Sequence, residues 1–242
     1  MVTSVAGLHE TLFGQMTFHP QAEPRALYCM GSHFTGGLAM AWLAQALAPS
    51  GVPGEAAVAS AIPFEELEAE AASCPPGTEG VLWLPFLVGG GTPGFDPALA
   101  AAWLGLRSGH WRPHLVRSVM EGVAFNLRES VELLQQAAVP VETIRVGAGG
   151  LRSPLWRNIV AGVLGRPLQC VEVGDVSALG AALMAGVGAG WWPSLAEASR
   201  AAVRLGPIVE PPADWVAAHE PLFRSYRQAV RHEDAVHHAN PT

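Results

Sequence analysis

Residues 144–187 constrain the fold most strongly, because strand, turn and helix signals alternate there in a fixed order. A β-branched run at the start predicts a buried strand, which leads into a turn at Gly149 and Gly150. Ser153, followed by proline, is typical of a helix N-cap, and Gly165 is typical of a residue that ends a helix. A second apolar strand and a second helix follow. This order predicts an α/β fold.

The second half of this stretch repeats the pattern. Residues 168–173 predict a buried strand, and the next helix is rich in alanine and leucine. Either Asp175 or Ser177 can cap that helix, which we expect to end among Gly186, Gly188 and Gly190.

The first glycine turn has a chemical implication. It leads into a helix N-terminus, where exposed backbone N–H groups and the helix dipole favour an anion. Gly149 and Gly150 also allow a flat ring or a phosphate to approach the backbone closely. An ordinary strand-to-helix turn explains the same residues. The usual dinucleotide pattern requires glycine where Arg152 stands, and a P-loop requires lysine, which this chain lacks.

Composition excludes several functional classes. The chain has 242 residues, half of them hydrophobic, with a formal net charge of −7. This charge argues against sequence-independent nucleic-acid binding and against an anionic membrane surface. The longest apolar run, residues 178–192, is shorter than the roughly 20 residues that a spanning helix needs. Three widely spaced cysteines and no signal-peptide pattern predict a soluble cytoplasmic protein with reduced thiols.

The remaining elements follow from periodicity and breakers. Residues 113–136 predict a long amphipathic helix, and residues 56–72 predict a helix with a solvated acidic face. The other predictions are hairpin arms at 11–13 and 16–18, strands at 27–30 and 81–86, a flexible loop at 88–97, and helices at 37–47, 193–203 and 215–232.

Local motifs supply no convincing catalytic group. His110 and His114 have helical spacing but lack the glutamate of a zinc-protease motif, so a polar helix start explains them. No nucleophile elbow occurs. Asp96 and Asp175 lie beside glycine turns, where Asp175 is more easily explained as a helix cap.

Several stretches, in the right order, resemble the C-terminal half of the FGGY family of carbohydrate kinases, especially its xylulokinase branch. Residues 101–121, AAWLGLRSGHWRPHLVRSVME, match the second signature of the family position by position. GAGGLRSPLWRNIVAGVLGRP resembles its adenine loop, SALGAALMAGVGAG resembles its ALGAA-type helix, and MGSHFTGGLAMAWL resembles its glycine-bearing turn.

The resemblance implies an actin-like, ribonuclease-H-like ATPase domain with a mixed sheet flanked by helices. It also implies ATP or ADP and Mg²⁺ as cofactors. The implied nucleotide-binding residues are Gly149 and Gly150 against the adenosine and α-phosphate, Ser153 near the adenine, Gly37 on the opposite wall, and Thr3 with Ser4 as a phosphate hairpin.

Two departures from the family pattern affect the expected chemistry. Residues 1–242 fit a single C-terminal domain that starts within the phosphate hairpin, where Val2 replaces the family's glycine. The N-terminal sugar-binding half, with its catalytic aspartate, is therefore expected to be absent. Gly90 and Gly91 replace a Glu-Arg pair in the 88–97 loop.

Two functions fit these observations. The first is the ATP-binding half of a sugar kinase acting on a ketose such as xylulose, inactive alone and without catalytic or metal-ligating residues of its own. The second is a non-catalytic nucleotide-binding remnant or regulatory module. Both imply nucleotide as partner. A separate N-terminal kinase half and self-association into a homo-oligomer are further expected partners, because the lone domain would expose apolar surface.

Overall fold

The structure is a computed structural model that describes residues 1–23, 25–48, 61–147 and 149–239, with side chains described as far as residue 233. The described strands are β1 Val2–Val5, β2 Thr17–Pro20, β3 Leu27–Met30, β4 Leu82–Leu84, β5 Ala102–Leu104, β6 Ile144–Val146, β7 Leu168–Val171 and β8 Leu205–Val209. The described α-helices are α1 Gly36–Ala46, α2 Phe64–Ser73, α3 Arg112–Gln136, α4 Pro154–Leu164, α5 Val176–Gly188, α6 Leu195–Ala202 and α7 Ala213–Ala239.

An antiparallel sheet forms the N-terminal region, with β3 between β1 and β2. Thr3 and Phe18 both face Cys29 in the register of the two pairings. The predicted first hairpin arm at 11–13 is wrong, because Glu10–Leu12 forms a 3-10 turn whose Leu12 side chain is buried. The second predicted arm falls on β2, which pairs with β3 instead.

The central region is the predicted α/β unit. β6 and β7 pair in parallel through the α4 crossover, and β8 adds to β7 antiparallel, so this sheet is mixed. Ser153 caps α4, Gly165 follows it with φ +60°, and Asp175 rather than Ser177 caps α5. The predicted caps and helix end are therefore confirmed at residue level. The sequence did not predict β5 or β8; β8 contains Gly206 and Pro207, which are typical of turns.

Helix α3 is the centre of the hydrophobic core. It packs against α1, α2, α4 and β4, and most of its middle turns are buried. The largest buried apolar side chains include those of Trp83, Met120, Phe125, Ile159 and Phe223. No helix in the described ranges is both long and apolar enough to cross a membrane.

A buried polar cluster ties α3 to its neighbours. Arg117 Nε lies 2.8 Å from Glu121 Oε1, and Nε2 of His219, on α7, lies 3.1 Å from the same oxygen. Arg117 also donates to the carbonyl of Cys74, and the Gly77 N–H donates to Glu121. The cluster fixes the turn between α2 and β4 and thereby the position of α2.

The acidic face of α2 is not simply solvated, contrary to the prediction. Arg112, at the start of α3, donates to Glu70 Oε2 at 2.8 Å and to Glu66 Oε1 at 3.1 Å. Residues 56–60 of the predicted helix lie outside the described residues, and the described helix begins at Phe64. These ion pairs hold α2 against α3 and leave Glu68 facing another element.

Candidate functional site

A cleft opens between helices α1 and α2 on one side and the 149–153 turn with α4 on the other. It comprises two adjoining cavities of about 670 and 380 Å³, which share Gly37, Gly149, Gly150 and Trp156 as lining residues. Ser153 lines the larger cavity. Four of the six residues predicted to bind nucleotide are therefore brought together, and together the two cavities are large enough for a small-molecule ligand.

The glycines of the cleft differ in what surrounds them. A Cβ added at Gly150 would collide with the Trp156 ring, whereas a Cβ at Gly37 would meet no atom within 4 Å. Gly149 has φ +53°, a conformation that glycine adopts readily. Gly150 is therefore required by the packing of the turn, and Gly37 leaves open space at the start of α1.

The N-terminus of α4 is fully satisfied within the protein. Ser153 Oγ accepts the Trp156 N–H at 3.0 Å, and the Ser153 carbonyl accepts the Arg157 N–H. Glu68 Oε1, from α2, accepts both the Ser153 hydroxyl and, at 3.4 Å, the Leu155 N–H. The prediction that this helix offers exposed N–H groups is wrong, because its first-turn donors already have acceptors.

The N-terminus of α1 has the opposite character. Thr35 stands at its N-cap with no side-chain capping bond, and the first turn contains no acidic residue. Thr35 is 1% exposed, and its Oγ1 has no hydrogen-bond partner in the described part of the chain. The first-turn N–H groups, including that of Gly37, form the positive end of the helix dipole. This end of the cleft can bind an anionic or polar oxygen.

His33 lines the smaller cavity beside α1. Its Nε2 lies 2.8 Å from Ser130 Oγ, and its Nδ1 is buried without a partner among the described residues. The pKa of His33 is lowered to about 4, chiefly by burial and also by the N-terminal charge, while Asn126 opposes the shift. The imidazole is therefore neutral at physiological pH.

Apolar and aromatic groups form the walls of the larger cavity. Phe64 and Trp156 stack with ring centroids 6.2 Å apart and an interplanar angle of 25°. Met40, Ile62 and Leu67 complete the apolar lining. A slot of this kind suits a flat aromatic group better than a flexible polar one.

Thr3 and Ser4 lie elsewhere. They line a separate groove of about 450 Å³ with Tyr28 and Met184. Ser4 Oγ accepts a hydrogen bond from Gln21 Nε2 at 3.0 Å. The structure thus does not bring these two predicted phosphate-binding residues into the main cleft.

The histidine pair is explained by hydrogen bonds to the backbone that leads into α3. His110 Nδ1 accepts the Arg107 N–H, and His114 Nδ1 accepts the Trp111 N–H. No group of three or more His, Cys, Asp or Glu side chains within the described ranges could hold a metal ion. Cys29, Cys74 and Cys170 are free and buried, as predicted for reduced thiols.

The 88–97 loop packs too closely for larger residues. A Cβ at Gly90 would lie 2.6 Å from the Leu99 side chain, and one at Gly91 would collide with the Ser32 carbonyl. Asp96 accepts the Ala98 N–H at 2.8 Å and so fixes the end of the loop. The glycines that replace the Glu-Arg pair are therefore part of the packing here.

Sequence reasoning missed Glu68 as a residue of the cleft. Its contact with Ser153 joins residues 85 positions apart, so no local pattern indicates it. Within α2 it looks like one more member of an acidic face.

The C-terminal domain of the FGGY family of carbohydrate kinases matches residues 2–189. The xylulose kinase of Bacillus subtilis is 29% identical over 219 residues, which cover 90% of this chain and 42% of that protein. The chain therefore spans less than half the length of this relative.

Solved structures of carbohydrate kinases superpose on this chain. The xylulose kinase of Rhodospirillum rubrum superposes with a TM-score of 0.78 at 28% identity, covering 98% of this chain and 46% of that one. Plasmodium falciparum glycerol kinase with ADP superposes with a TM-score of 0.70 at 18% identity, over 95% of this chain and 45% of that one, a likeness of fold alone. The fold is the predicted actin-like ATPase fold. The chain belongs to the FGGY family of carbohydrate kinases and carries its C-terminal domain.

Proposed function

We propose that the cleft between α1 and the 149–153 turn binds ATP and ADP. The observation that carries the proposal is the convergence of Gly37 with Gly149, Gly150 and Ser153 on one cleft, although Gly37 belongs to a different motif from the other three. The stacked pair of Phe64 and Trp156 supports a flat base in the larger cavity.

The two helix starts suggest how the nucleotide lies. The apolar slot ends at Ser153 and Glu68, where a carboxylate would repel phosphates. The first turn of α1 has free donors and no acidic residue, and it adjoins the neutral His33. We therefore place the base near Ser153 and the ribose and phosphates toward Gly37 and the smaller cavity. Thr3 and Ser4 lie in the separate groove of about 450 Å³. We assign them to the terminal phosphates of ATP, which would extend from the smaller cavity toward that groove.

Calorimetry with ADP tests the site, and Gly37→Leu is the variant of choice. Its side chain extends into open space in the cleft, so the fold should tolerate it while the nucleotide is excluded. The matched control is Gly188→Leu, at the exposed end of α5, where an added Cβ also meets no atom within 4 Å. We expect Gly37→Leu to weaken ADP binding at least about tenfold and the control to leave it unchanged. Equal binding by both variants would contradict the proposed site.

The proposed reaction is phosphoryl transfer from ATP to a hydroxyl of a sugar, a ketose such as xylulose. Such transfer depends on positioning, on charge stabilisation and on a base that accepts the hydroxyl proton. We assign the binding and positioning of ATP to this domain. The catalytic aspartate and most sugar contacts are assigned to a segment corresponding to the other half of the longer relatives, in the same polypeptide or in another. We place the protein in the cytoplasm, where ATP is available.

Mg²⁺ is the expected companion of the nucleotide. It keeps several waters and is usually bound through one or two carboxylates together with substrate phosphates. The described residues form no cluster of three metal-ligating side chains, so the phosphates themselves would supply much of the site. When bound, the ion would neutralise phosphate charge.

We expect residues 1–242 alone to lack kinase activity. The assay combines the purified chain with ATP, Mg²⁺ and xylulose and measures phosphorylated sugar. No product above background is expected, because a base for the hydroxyl proton is assigned elsewhere. ATP- and Mg²⁺-dependent phosphorylation by the chain would contradict this.

Helix α5 is the proposed surface for a second kinase half or, in its absence, a second copy. No charged residue lies between Asp175 and Trp192, yet Met184 is 49% and Trp191 74% exposed. Such a surface is costly in water and favours association. We expect concentration-dependent self-association in sedimentation experiments and its loss in Met184→Glu. A monomer at all concentrations would contradict the homo-oligomer.

The alternative is a nucleotide-binding module without catalysis, either regulatory or a remnant. It is kept as a second candidate because no group of three or more His, Cys, Asp or Glu side chains in the described residues could hold a metal ion. Reconstitution separates the two: activity restored by an added N-terminal kinase half supports the split enzyme, and ADP binding without restored activity supports the module.

A further inference from the structure

We infer that Glu68 and Ser153 together select adenine over a 6-oxo purine by accepting a hydrogen bond from its exocyclic amino group. The inference rests on the proposed function, since it requires a nucleotide base in the larger cavity. It adds a specificity-determining residue, Glu68, that the family motifs in this sequence do not include.

Ser153 and Glu68, at the end of the slot, can offer a ligand only hydrogen-bond acceptors. An ionised carboxylate can only accept, so the bond between Ser153 Oγ and Glu68 Oε1 must use the serine proton. Ser153 Oγ already accepts from the Trp156 N–H with one lone pair. The remaining lone pair of Ser153 and the carboxylate oxygens of Glu68 can only receive hydrogen bonds.

The first turn of α4 adds no competing donor. The Leu155 N–H donates to Glu68, and the Arg157 N–H donates to the Ser153 carbonyl. Pro154 has no N–H to offer. Arg152 also lines this cavity, so the requirement applies to a ligand atom in contact with Glu68 or the Ser153 hydroxyl. Such an atom must be a donor, because an acceptor atom would face a negative carboxylate.

Purine bases differ in this property at position 6. Adenine has an amino group there, whereas hypoxanthine has a carbonyl oxygen that accepts. A site built from acceptors rejects the carbonyl, because the oxygens of buried Ser153 and half-buried Glu68 would be left without a donor and would repel the carbonyl oxygen of the base. The apolar walls of the slot hold both bases equally well, so the discrimination falls on Glu68 and Ser153.

The test compares ADP, inosine diphosphate and 2′-deoxy-ADP as calorimetric ligands of the full chain. We expect the unmodified chain to bind ADP at least about tenfold more tightly than inosine diphosphate, the size expected for one charge-assisted hydrogen bond. Glu68→Gln replaces a carboxylate oxygen by an amide donor and should bring the two affinities within about twofold. Glu65→Gln, a second acidic residue lining the same cavity, is the matched control and should retain the preference.

The outcomes are distinguishable. If ADP binds and Glu68→Gln leaves the ADP preference unchanged, the inference is overturned while the nucleotide site stands. If the variant instead changes the ratio of ADP to 2′-deoxy-ADP, Glu68 contacts the ribose and the assignment to the base is overturned. If neither nucleotide binds, the proposed function fails, and the inference fails with it. Because the readout is a ratio of affinities, a general loss of stability would not produce the expected result.

Discussion

The two helix starts that face each other across the cleft differ in one respect that organises the whole site. The start of α4 is closed, since Ser153 and Glu68 take up its donors. The start of α1 is open, since Thr35 provides no cap and its hydroxyl is buried without a partner in the described chain. A glycine-bearing turn before a helix is therefore not enough to define an anion site. What matters is whether the protein has already satisfied the donors.

The largest expected contrast lies between Gly150 and Gly37, on opposite walls of the cleft. Gly150→Ala should lower the free energy of unfolding by about 1–3 kcal/mol, because the added methyl collides with Trp156. Gly37→Ala should raise it by up to about 1 kcal/mol, since alanine is the better helix former and the space is open. Urea denaturation of both variants measures the difference. Equal effects would contradict the contrast between a packed and an open wall.

The next contrast separates the two caps. Ser153→Ala removes the acceptor for the Trp156 N–H and the donor to Glu68, and should cost about 1–2 kcal/mol of stability. Thr35→Val replaces an unpartnered hydroxyl by a methyl of similar shape and should change stability by less than about 0.5 kcal/mol, or increase it. Thermal unfolding should show the first change as a fall of about 2–4 °C per kcal/mol. A larger loss for Thr35→Val would show that α1 is capped after all.

A smaller effect concerns His33 on the open side. Its pKa in the folded chain is about 4, below its ordinary value of 6.5, so the unfolded chain binds more protons between these values. The stability that the neutral ring contributes is therefore complete above pH 6.5 and is lost as the pH falls toward 4. Between pH 7 and 5.5 we expect His33→Gln to reduce the loss of stability by roughly 1 kcal/mol. Parallel curves for the two proteins would contradict a neutral, buried His33.

Local signals predicted the central unit well. Ser153-Pro154, Gly165 and Asp175 each act through neighbouring backbone groups, so their roles as caps and helix end follow from sequence spacing alone. The N-terminal sheet was harder to predict. β2 pairs with β3, ten residues further along the chain, and the segment before β2 folds into a 3-10 turn instead of a hairpin arm.

Long-range contacts account for what the sequence did not reveal. The ion pairs of Arg112 with α2 and the bond from Ser153 to Glu68 join residues 42 to 85 positions apart, where acidic residues on a helix look solvated. The family motifs identified Gly37, Gly149, Gly150 and Ser153, which lie together in the cleft. They did not reveal that the donors of α4 are already used, which depends on how α2 docks.

Hydrogen–deuterium exchange with and without ADP is the most direct test of the central claim, that the nucleotide lies between the start of α1 and the 149–153 turn. We expect slower exchange in peptides covering residues 33–40 and 149–157, with no change in β8. Protection in both segments on opposite walls would establish the cleft as the site. ADP binding that leaves both segments unprotected would contradict the account.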